Sequence, residues 1–399
     1  MKKIIAALTL AVILAFSCAA VTVEDESYYA KFKDQKITLN VYNWGEYISD
    51  GGEGSLDVIS EFEKLSGIDV TYTTYETNED LYAKLSSSNS QYDIIIPSDY
   101  MIARMIDEDM LEKLDYDNIP NISMIDEQYI KTDFDPDGEY SVPYTWGTVG
   151  IVYNTKYVDE EDVGSWDLLW NEKYKGKTLM FSNSRDAFGV ALKKLGYSLN
   201  TTNEDEINEA SDLLKEQKSV VQAYVMDQVF DKMEGESAYI APYYAGDCAT
   251  MMDSNENLSF YYPEEGVNIF IDSICIPKGS KNKLAAEAFI NFLCETDIAV
   301  ANYEYICYFT PHTEAAEIVE ADDRILPDET VREKAESFIA LPAETNSLID
   351  SLWIETKSGL GGDSFSSVIV PVVIIIALAI VILIILAVLR SRKKKKLNY

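Results

Sequence analysis

The side chains that most often carry chemistry are unevenly represented in this 399-residue chain. His312 is the only histidine, so a histidine-based metal site or a Ser-His-Asp triad has almost no raw material. We therefore expect no enzyme activity, no metal and no cofactor. Carboxylates and aromatic rings are abundant instead, with 68 Asp and Glu residues and 12% aromatic content. Together these groups suit positively charged ligands, through charge-assisted hydrogen bonds and cation–π contacts.

The acidic charge is concentrated between the two ends of the chain. Of the 33 Lys and Arg residues, eight lie in the two terminal segments, which contain no Asp or Glu; this leaves 25 basic against 68 acidic residues, a net charge of −43. Such a field repels nucleic acid and anionic lipid and attracts cations. A solvated acidic surface with no ligand explains the charge equally well.

Cysteine usage leaves the redox state of the body open. Besides Cys18, the chain carries Cys248, Cys275, Cys294 and Cys307, which are even in number but scattered through apolar surroundings. Their pattern allows disulfides without requiring them.

The elements that must position these groups follow an α/β pattern. Residues 37–43 alternate like a strand, 56–65 have helical spacing, and 68–73 and 93–97 read as further strands. A second cycle starts with a strand at 151–153 and continues through several helices. Later, a strand at 273–277 leads into a helix at 283–293. At this length, two lobes are the natural expectation.

Both ends of the chain have the composition of membrane-associated segments. Residues 1–20 combine Lys2 and Lys3 with a short apolar stretch, which predicts a signal peptide, with Cys18 as a candidate lipidation site. Residues 358–367 are rich in Gly and Ser and predict a linker. The apolar run 368–389 predicts a transmembrane helix, and the basic tail 390–399 places the C-terminus in the cytoplasm and the body outside the cell membrane.

Many segments, in order, resemble the spermidine/putrescine-binding proteins of polyamine ABC transporters. They are VYNWGEY (41–47), YETNEDLYAKL (75–85), YDIIIPSDY (92–100), FDPDGEYSVPYTWG (134–147), SWDLLW (165–170), YKGK (174–177), ALKKLGYSLNTT (191–202), YPEEG (262–266), DSICIPKGSKNK (272–283) and YFTP (308–311). So many ordered matches are far more specific than one short motif.

The resemblance implies a type II periplasmic-binding-protein fold, in which two α/β lobes close over a ligand. It implies a first lobe of residues 37–146 plus 273–310 and a second lobe of 147–272 plus 311–357. The implied function is extracytoplasmic capture of putrescine or spermidine for import, with an ABC permease and ATPase as partners.

The resemblance also implies a set of ligand-binding residues. The first lobe would supply the residues of the NWGEY and SDY segments, and the second lobe an acid pair, of which the first position is an amide here. The carboxylates of Asp247 and Asp272 would bind ammonium groups. The full set is Trp44, Tyr47, Ser98, Asp99, Tyr100, Asn183, Asp186, Tyr243, Tyr244, Asp247, Phe270, Asp272 and Tyr308.

Three other functions remain open from the sequence. Adjacent Tyr243 and Tyr244 are compatible with a ferric-ion or other small-ligand receptor of the same fold. A membrane-tethered adhesion or signalling ectodomain would use the linker and helix equally well. An extracellular enzyme is disfavoured by the single histidine and by the lack of a nucleophile motif.

Overall fold

The computed structural model describes residues 21–87 and 91–358, which form nine strands, fourteen α-helices and six 3-10 helices. The strands are β1 Thr38–Trp44, β2 Asp69–Tyr75, β3 Ile94–Ile95, β4 Ser141–Asn154, β5 Thr178–Phe181, β6 Val221–Val225, β7 Ile240–Tyr244, β8 Leu258–Tyr261 and β9 Ile269–Cys275. The α-helices are α1 Glu26–Ala30, α2 Val58–Ser66, α3 Asn78–Ser86, α4 Asp99–Asp107, α5 Glu127–Ile130, α6 Ser184–Lys194, α7 Glu204–Gln217, α8 Gln228–Glu234, α9 Ala245–Ser254, α10 Lys283–Leu293, α11 Thr296–Ile306, α12 Thr313–Ile318, α13 Glu329–Lys334 and α14 Ala343–Ser358. The 3-10 helices are Gly52–Gly54, Tyr116–Asn118, Pro120–Met124, Glu160–Asp162, Trp166–Trp170 and Glu172–Tyr174.

The strands follow one path, β2-β1-β3-β9-β4-β7-β5-β6, with β8 paired to β4. On the first lobe, β1 is parallel to both β2 and β3, and β9 runs antiparallel between β3 and β4. On the second lobe, β5 is parallel to β6 and β7, while β4 is antiparallel to β7 and β8. The predicted two-lobed α/β fold is confirmed.

Strand β4 passes from one lobe into the other. Its first half, Ser141 to Thr148, pairs with β9, and its second half, Val149 to Tyr153, pairs with β7. The sequence analysis predicted a strand only at 151–153, which is shorter than β4. The earlier part of β4 was missed because Pro143 and the glycines of this segment are uncommon inside strands. Likewise β9 begins at Ile269 rather than at 273. The two lobes are therefore joined through continuous sheet.

Helix α2 shows how local signals and packing agree in the first lobe. The Asp57 side chain caps its N-terminus by accepting from the Ser60 amide at 2.8 Å, and Gly67 ends it with a φ of 72°. Its buried Phe62 lies edge-on to Phe289 of α10, with ring centroids 4.9 Å apart. The contact fixes α2 against the first-lobe core.

Residues 311–318 contact the first lobe, although the predicted second lobe began at 311. His312 caps α12, where its Nδ1 accepts from the Ala315 amide, and its Nε2 lies 3.1 Å from the Cys294 carbonyl oxygen. Thr296 at the start of α11 also donates to Glu314 at 2.9 Å. The start of α12 is therefore attached to α11 and the residues before it.

Helix α14 packs on the second lobe. The Trp353 indole N–H donates to the Ser182 carbonyl at 2.9 Å. The same ring lies edge-on to Tyr224, with ring centroids 5.2 Å apart. Asp350 accepts from the Ser184 hydroxyl at 2.7 Å. The helix thereby supports the first turn of α6, which carries part of the candidate site.

The predicted signal peptide at 1–20, the transmembrane helix at 368–389, the basic tail at 390–399 and, apart from Ser358, the linker at 358–367 lie outside the described residues. Across 21–87 and 91–358, no helix is both long enough and apolar enough to cross a membrane. In the same part of the chain, Cys248, Cys275, Cys294 and Cys307 are free thiols.

Candidate ligand-binding site

A cleft of about 740 Å³, partly open to solvent, is lined by residues of both lobes. The thirteen residues predicted for the site all line it, so the structure brings them together. They are Trp44, Tyr47, Ser98, Asp99, Tyr100, Asn183, Asp186, Tyr243, Tyr244, Asp247, Phe270, Asp272 and Tyr308. The position of the cleft, between two lobes, is typical of small-ligand sites.

Asp272 lies in the middle of β9 and is 4% exposed. Its Oδ2 accepts a hydrogen bond from the Tyr47 hydroxyl at 2.6 Å, while its buried Oδ1 has no hydrogen-bond partner within residues 21–87 and 91–358. Burial raises the pKa of Asp272 to about 6, and the Tyr47 and Ser98 hydroxyl groups oppose that shift. The Oδ1 atom of Asp272 is thus available to a donor of a ligand in the cleft.

Asp247 occupies the first turn of α9 and pairs with another cleft tyrosine. Its Oδ2 accepts from the Tyr308 hydroxyl at 2.9 Å. Burial raises the pKa of Asp247 to about 8, assisted by the nearby negative charges of Asp227 and Glu46. Without a bound cation, this carboxyl is therefore mostly protonated at neutral pH.

Asp186 lies in the first turn of α6, where Asn183 is the capping residue. The Asn183 side chain accepts from the Asp186 amide at 2.9 Å and donates to Asp186 Oδ2 at 2.7 Å. The Tyr244 hydroxyl donates to the same oxygen at 2.7 Å. Burial raises the pKa of Asp186, and both hydrogen bonds lower it. Asn183 thus holds Asp186 in place but adds no charge.

The start of α4 supplies the Ser98, Asp99 and Tyr100 side chains. Ser98 accepts from the Asn78 amide group at 3.1 Å, and the Tyr100 hydroxyl donates to Glu79 at 2.9 Å. Burial holds the pKa of Asp99 well above its usual range. These contacts fix the helix terminus at the cleft wall.

Aromatic rings cover much of the remaining wall. Trp44, at the end of β1, donates from its indole to the Ile96 carbonyl at 2.8 Å. Tyr47 and Tyr308 are edge-on at 4.8 Å, and so are Tyr244 and Phe270 at 5.6 Å. Rings held in this way can present their faces to aliphatic or cationic groups of a ligand.

Sequence reasoning missed nine lining residues, including three carboxylates. They are Gly45, Glu46, Glu76, Asn78, Met226, Asp227, Phe230, Asn268 and Phe338. Glu46 and Glu76 lie inside the segments 41–47 and 75–85 that carried the resemblance, and this position could have identified them as candidates for the cleft. Among the described residues that line the cleft there are seven carboxylates and no Lys, Arg or His. The charged side chains of this lining are therefore all acidic.

Residues 57–327 match the family described as bacterial extracellular solute-binding protein. The chain belongs to this family. Its members bind solutes for ABC transporters and are not enzymes. This solute-binding protein is extracytoplasmic, as its relatives are.

Curated relatives and solved structures agree with that placement. The chain is 36% identical over 311 residues to the spermidine/putrescine-binding periplasmic protein of Escherichia coli K12, covering 77% of this chain and 87% of that one. It is 32% identical over 353 residues to the putrescine-binding periplasmic protein SpuD of Pseudomonas aeruginosa, covering 83% and 94%.

Among solved structures, the spermidine/putrescine ABC transporter substrate-binding protein PotD of Streptococcus pneumoniae is 35% identical. It superposes with a TM-score of 0.67 and coverage of 81% of this chain and 99% of that one. The Tp0655 (TpPotD) lipoprotein of Treponema pallidum gives a TM-score of 0.70 at 28% identity, with coverage of 80% and 99%.

Proposed function

We propose that this solute-binding protein captures polyamines outside the cell membrane and delivers them to an ABC permease and its ATPase. The observation that carries the proposal is the buried Oδ1 of Asp272, which has no hydrogen-bond partner among the described residues and lies in a cleft whose described lining contains no basic side chain. An ammonium group supplies the donor that this oxygen lacks. The names of the relatives support the same ligand class.

A diamine needs two such places joined by an apolar path. Asp272 with Tyr47 forms one pair and Asp247 with Tyr308 forms another. The Phe270 ring lies 6.3 Å from the Tyr308 ring and can cover the methylene chain between the two pairs. The thirteen predicted lining residues are our proposed binding set.

The acid pattern favours putrescine over spermidine. Asn183 offers an amide where the resemblance places the first acid of a pair, so one carboxylate is missing for a further amine. Asp186 remains, and Tyr244 and Asn183 both donate to it.

We also propose that the protein is held at the membrane by its C-terminal segment. Support comes from the apolar run at 368–389, the basic residues after it and the Gly/Ser-rich linker before it. Protease treatment of intact cells should release the folded body, whereas a body that stays protected would reverse this topology.

Iron binding through Tyr243 and Tyr244 is disfavoured by the site itself. Burial holds the pKa of both phenols well above the usual range, which opposes the tyrosinate form that iron requires. The Tyr244 hydroxyl is also committed to Asp186. Visible absorbance that appears on addition of iron would favour the ferric-ion receptor. A folded protein that binds no small ligand would favour the adhesion or signalling ectodomain.

Calorimetric titration of the purified full-length chain in detergent tests the proposal. We expect one site with roughly micromolar affinity for putrescine, about −8 kcal/mol. Asp272→Asn and Asp247→Asn should each weaken it at least tenfold, since removing one partner of a buried charge pair costs about 2–5 kcal/mol. Asp133→Asn, an exposed position outside the cleft, is the matched control. Unchanged affinity in both cleft variants would refute the site.

A further inference from the structure

Tyr47 is held at both ends by consecutive residues of β4. The Tyr144 hydroxyl donates to the Tyr47 carbonyl at 2.9 Å, and Thr145 Oγ1 lies 2.5 Å from the Tyr47 hydroxyl. A bulge between Pro143 and Thr145 places Thr145 directly opposite Asp272 in the β4–β9 ladder. Paired residues of an antiparallel ladder project from the same face, so Thr145 and Asp272 approach Tyr47 together.

The direction of each hydrogen bond follows from the number of protons available. Tyr47 has one hydroxyl proton, and it donates that proton to Asp272 Oδ2. The bond between Thr145 and Tyr47 must therefore use the threonine proton, so that Thr145 donates to Tyr47 and Tyr47 donates to Asp272. Successive donors polarise one another, which strengthens the bond that reaches the carboxylate.

We propose that Thr145 is a positioning residue for ammonium binding, which orients the Tyr47 hydroxyl so that Asp272 Oδ1 stays directed to the ligand. Thr145 does not line the cleft; it is 3% exposed and lies at a second, smaller cavity behind the wall. The inference rests on the proposed capture of polyamines. It adds a residue that acts without touching the ligand.

Other charged and titratable groups also act on Asp272 and set the background for any pH effect. Asp186 on α6 raises its pKa, and Asp99 on α4 and Tyr75 on β2 lie near enough to sense its charge. None of them forms a hydrogen bond with Thr145 or Tyr47 in the described residues. A change confined to the Thr145 hydroxyl therefore isolates this chain of donors.

Thr148 provides a matched control on the same strand. It is fully buried, and its hydroxyl lies 2.7 Å from the hydroxyl of Tyr262, which donates to the Ile325 carbonyl. The chemistry repeats that of Thr145, but the chain of donors ends on a backbone carbonyl instead of a carboxylate. Thr148→Val thus removes a similar hydrogen bond without affecting the cleft.

The experiment measures putrescine affinity of the full-length protein in detergent from pH 5 to 8. Thr145→Val should weaken binding at pH 7 by about fivefold. It should also move the steeper loss of affinity that begins near pH 6 upward by about half a pH unit, because a weaker donor leaves Asp272 easier to protonate. Thr145→Ser keeps the hydroxyl and should bind like the wild type. Thr148→Val should leave both quantities unchanged.

Each contrary result has a distinct meaning. Wild-type binding with an unchanged Thr145→Val profile would overturn this inference alone. So would a serine variant that fails to recover binding, or an equal pH shift in Thr148→Val, since packing or general stability would then explain the effect. No putrescine binding by folded wild-type protein would overturn the proposed function, and the inference with it.

Discussion

Ligand capture by this site should release a proton from Asp247. Its pKa of about 8 means that, at pH 7, the carboxyl is about 0.9 protonated in the ligand-free protein, whereas Asp272, with a pKa of about 6, is about 0.1 protonated. Both groups must be ionised to hold ammonium groups. Binding of one putrescine at pH 7 should therefore expel about one proton.

The sign of the pH dependence follows from the same values. Because binding releases protons, affinity should rise with pH, by about tenfold per unit near pH 7. The slope of the logarithm of affinity against pH should fall to about 0.1 near pH 9, where Asp247 is already ionised without ligand. Below pH 6, protonation of Asp272 should add a second proton to the slope.

Calorimetry in buffers of different ionisation heat counts the protons directly. Plotting the observed heat of putrescine binding at pH 7 against the buffer heat for phosphate and Tris should give a slope of about one proton for the wild type. Asp247→Asn should reduce this slope to about 0.1, whereas the control Asp133→Asn should keep it near one. Wild-type binding without any buffer dependence would show that Asp247 is already ionised before the ligand arrives, and the argument from burial would fail.

Two further predictions concern the cleft wall and its charge. Gly246→Ala should weaken putrescine binding about tenfold, since a Cβ there would lie 2.4 Å from Tyr308 Cδ2 and displace the ring whose hydroxyl donates to Asp247. Calorimetric titration of the variant checks this prediction. An affinity equal to that of the wild type would show that the Tyr308 ring adjusts. The association rate for putrescine should fall severalfold between about 20 and 300 mM NaCl, since the charged side chains among the described lining residues are all acidic. Stopped-flow measurement of the association rate checks the salt effect. Asp227→Asn, at the exposed edge of the cleft, should reduce this effect. A salt-independent rate would contradict electrostatic steering.

Local patterns predicted the regular helices well and the crossing strands poorly. The helix predicted at 283–293 is α10 as observed, because its apolar residues recur on one face. Strand β4 was largely missed because two of its glycines have no local rationale. In the fold, a Cβ at Gly147 would lie 2.8 Å from the Phe270 ring, and one at Gly150 would lie 2.3 Å from the Phe260 ring. Those rings are distant in sequence, so the requirement is invisible to local rules.

The site was predictable where ordered motifs carried it. Asp272 and Tyr308 were placed through their segments, although nothing local marks either residue as a cleft residue. Asp227 was missed, because one more acid in a chain with 68 of them gives no contrast. Thr145 was missed for another reason, since its relation to Tyr47 depends on a bulge that only the paired strands reveal.

The central position of β9 has a consequence for biogenesis. This strand lies between β3 and β4 but follows β4 by more than a hundred residues in sequence. Until residue 275 has been synthesised, the first-lobe sheet cannot close, and β3 and β4 present unpaired edges. A chain that cannot complete its sheet early stays unfolded for longer, which suits passage through a secretion channel and exposes the nascent segment to holding chaperones.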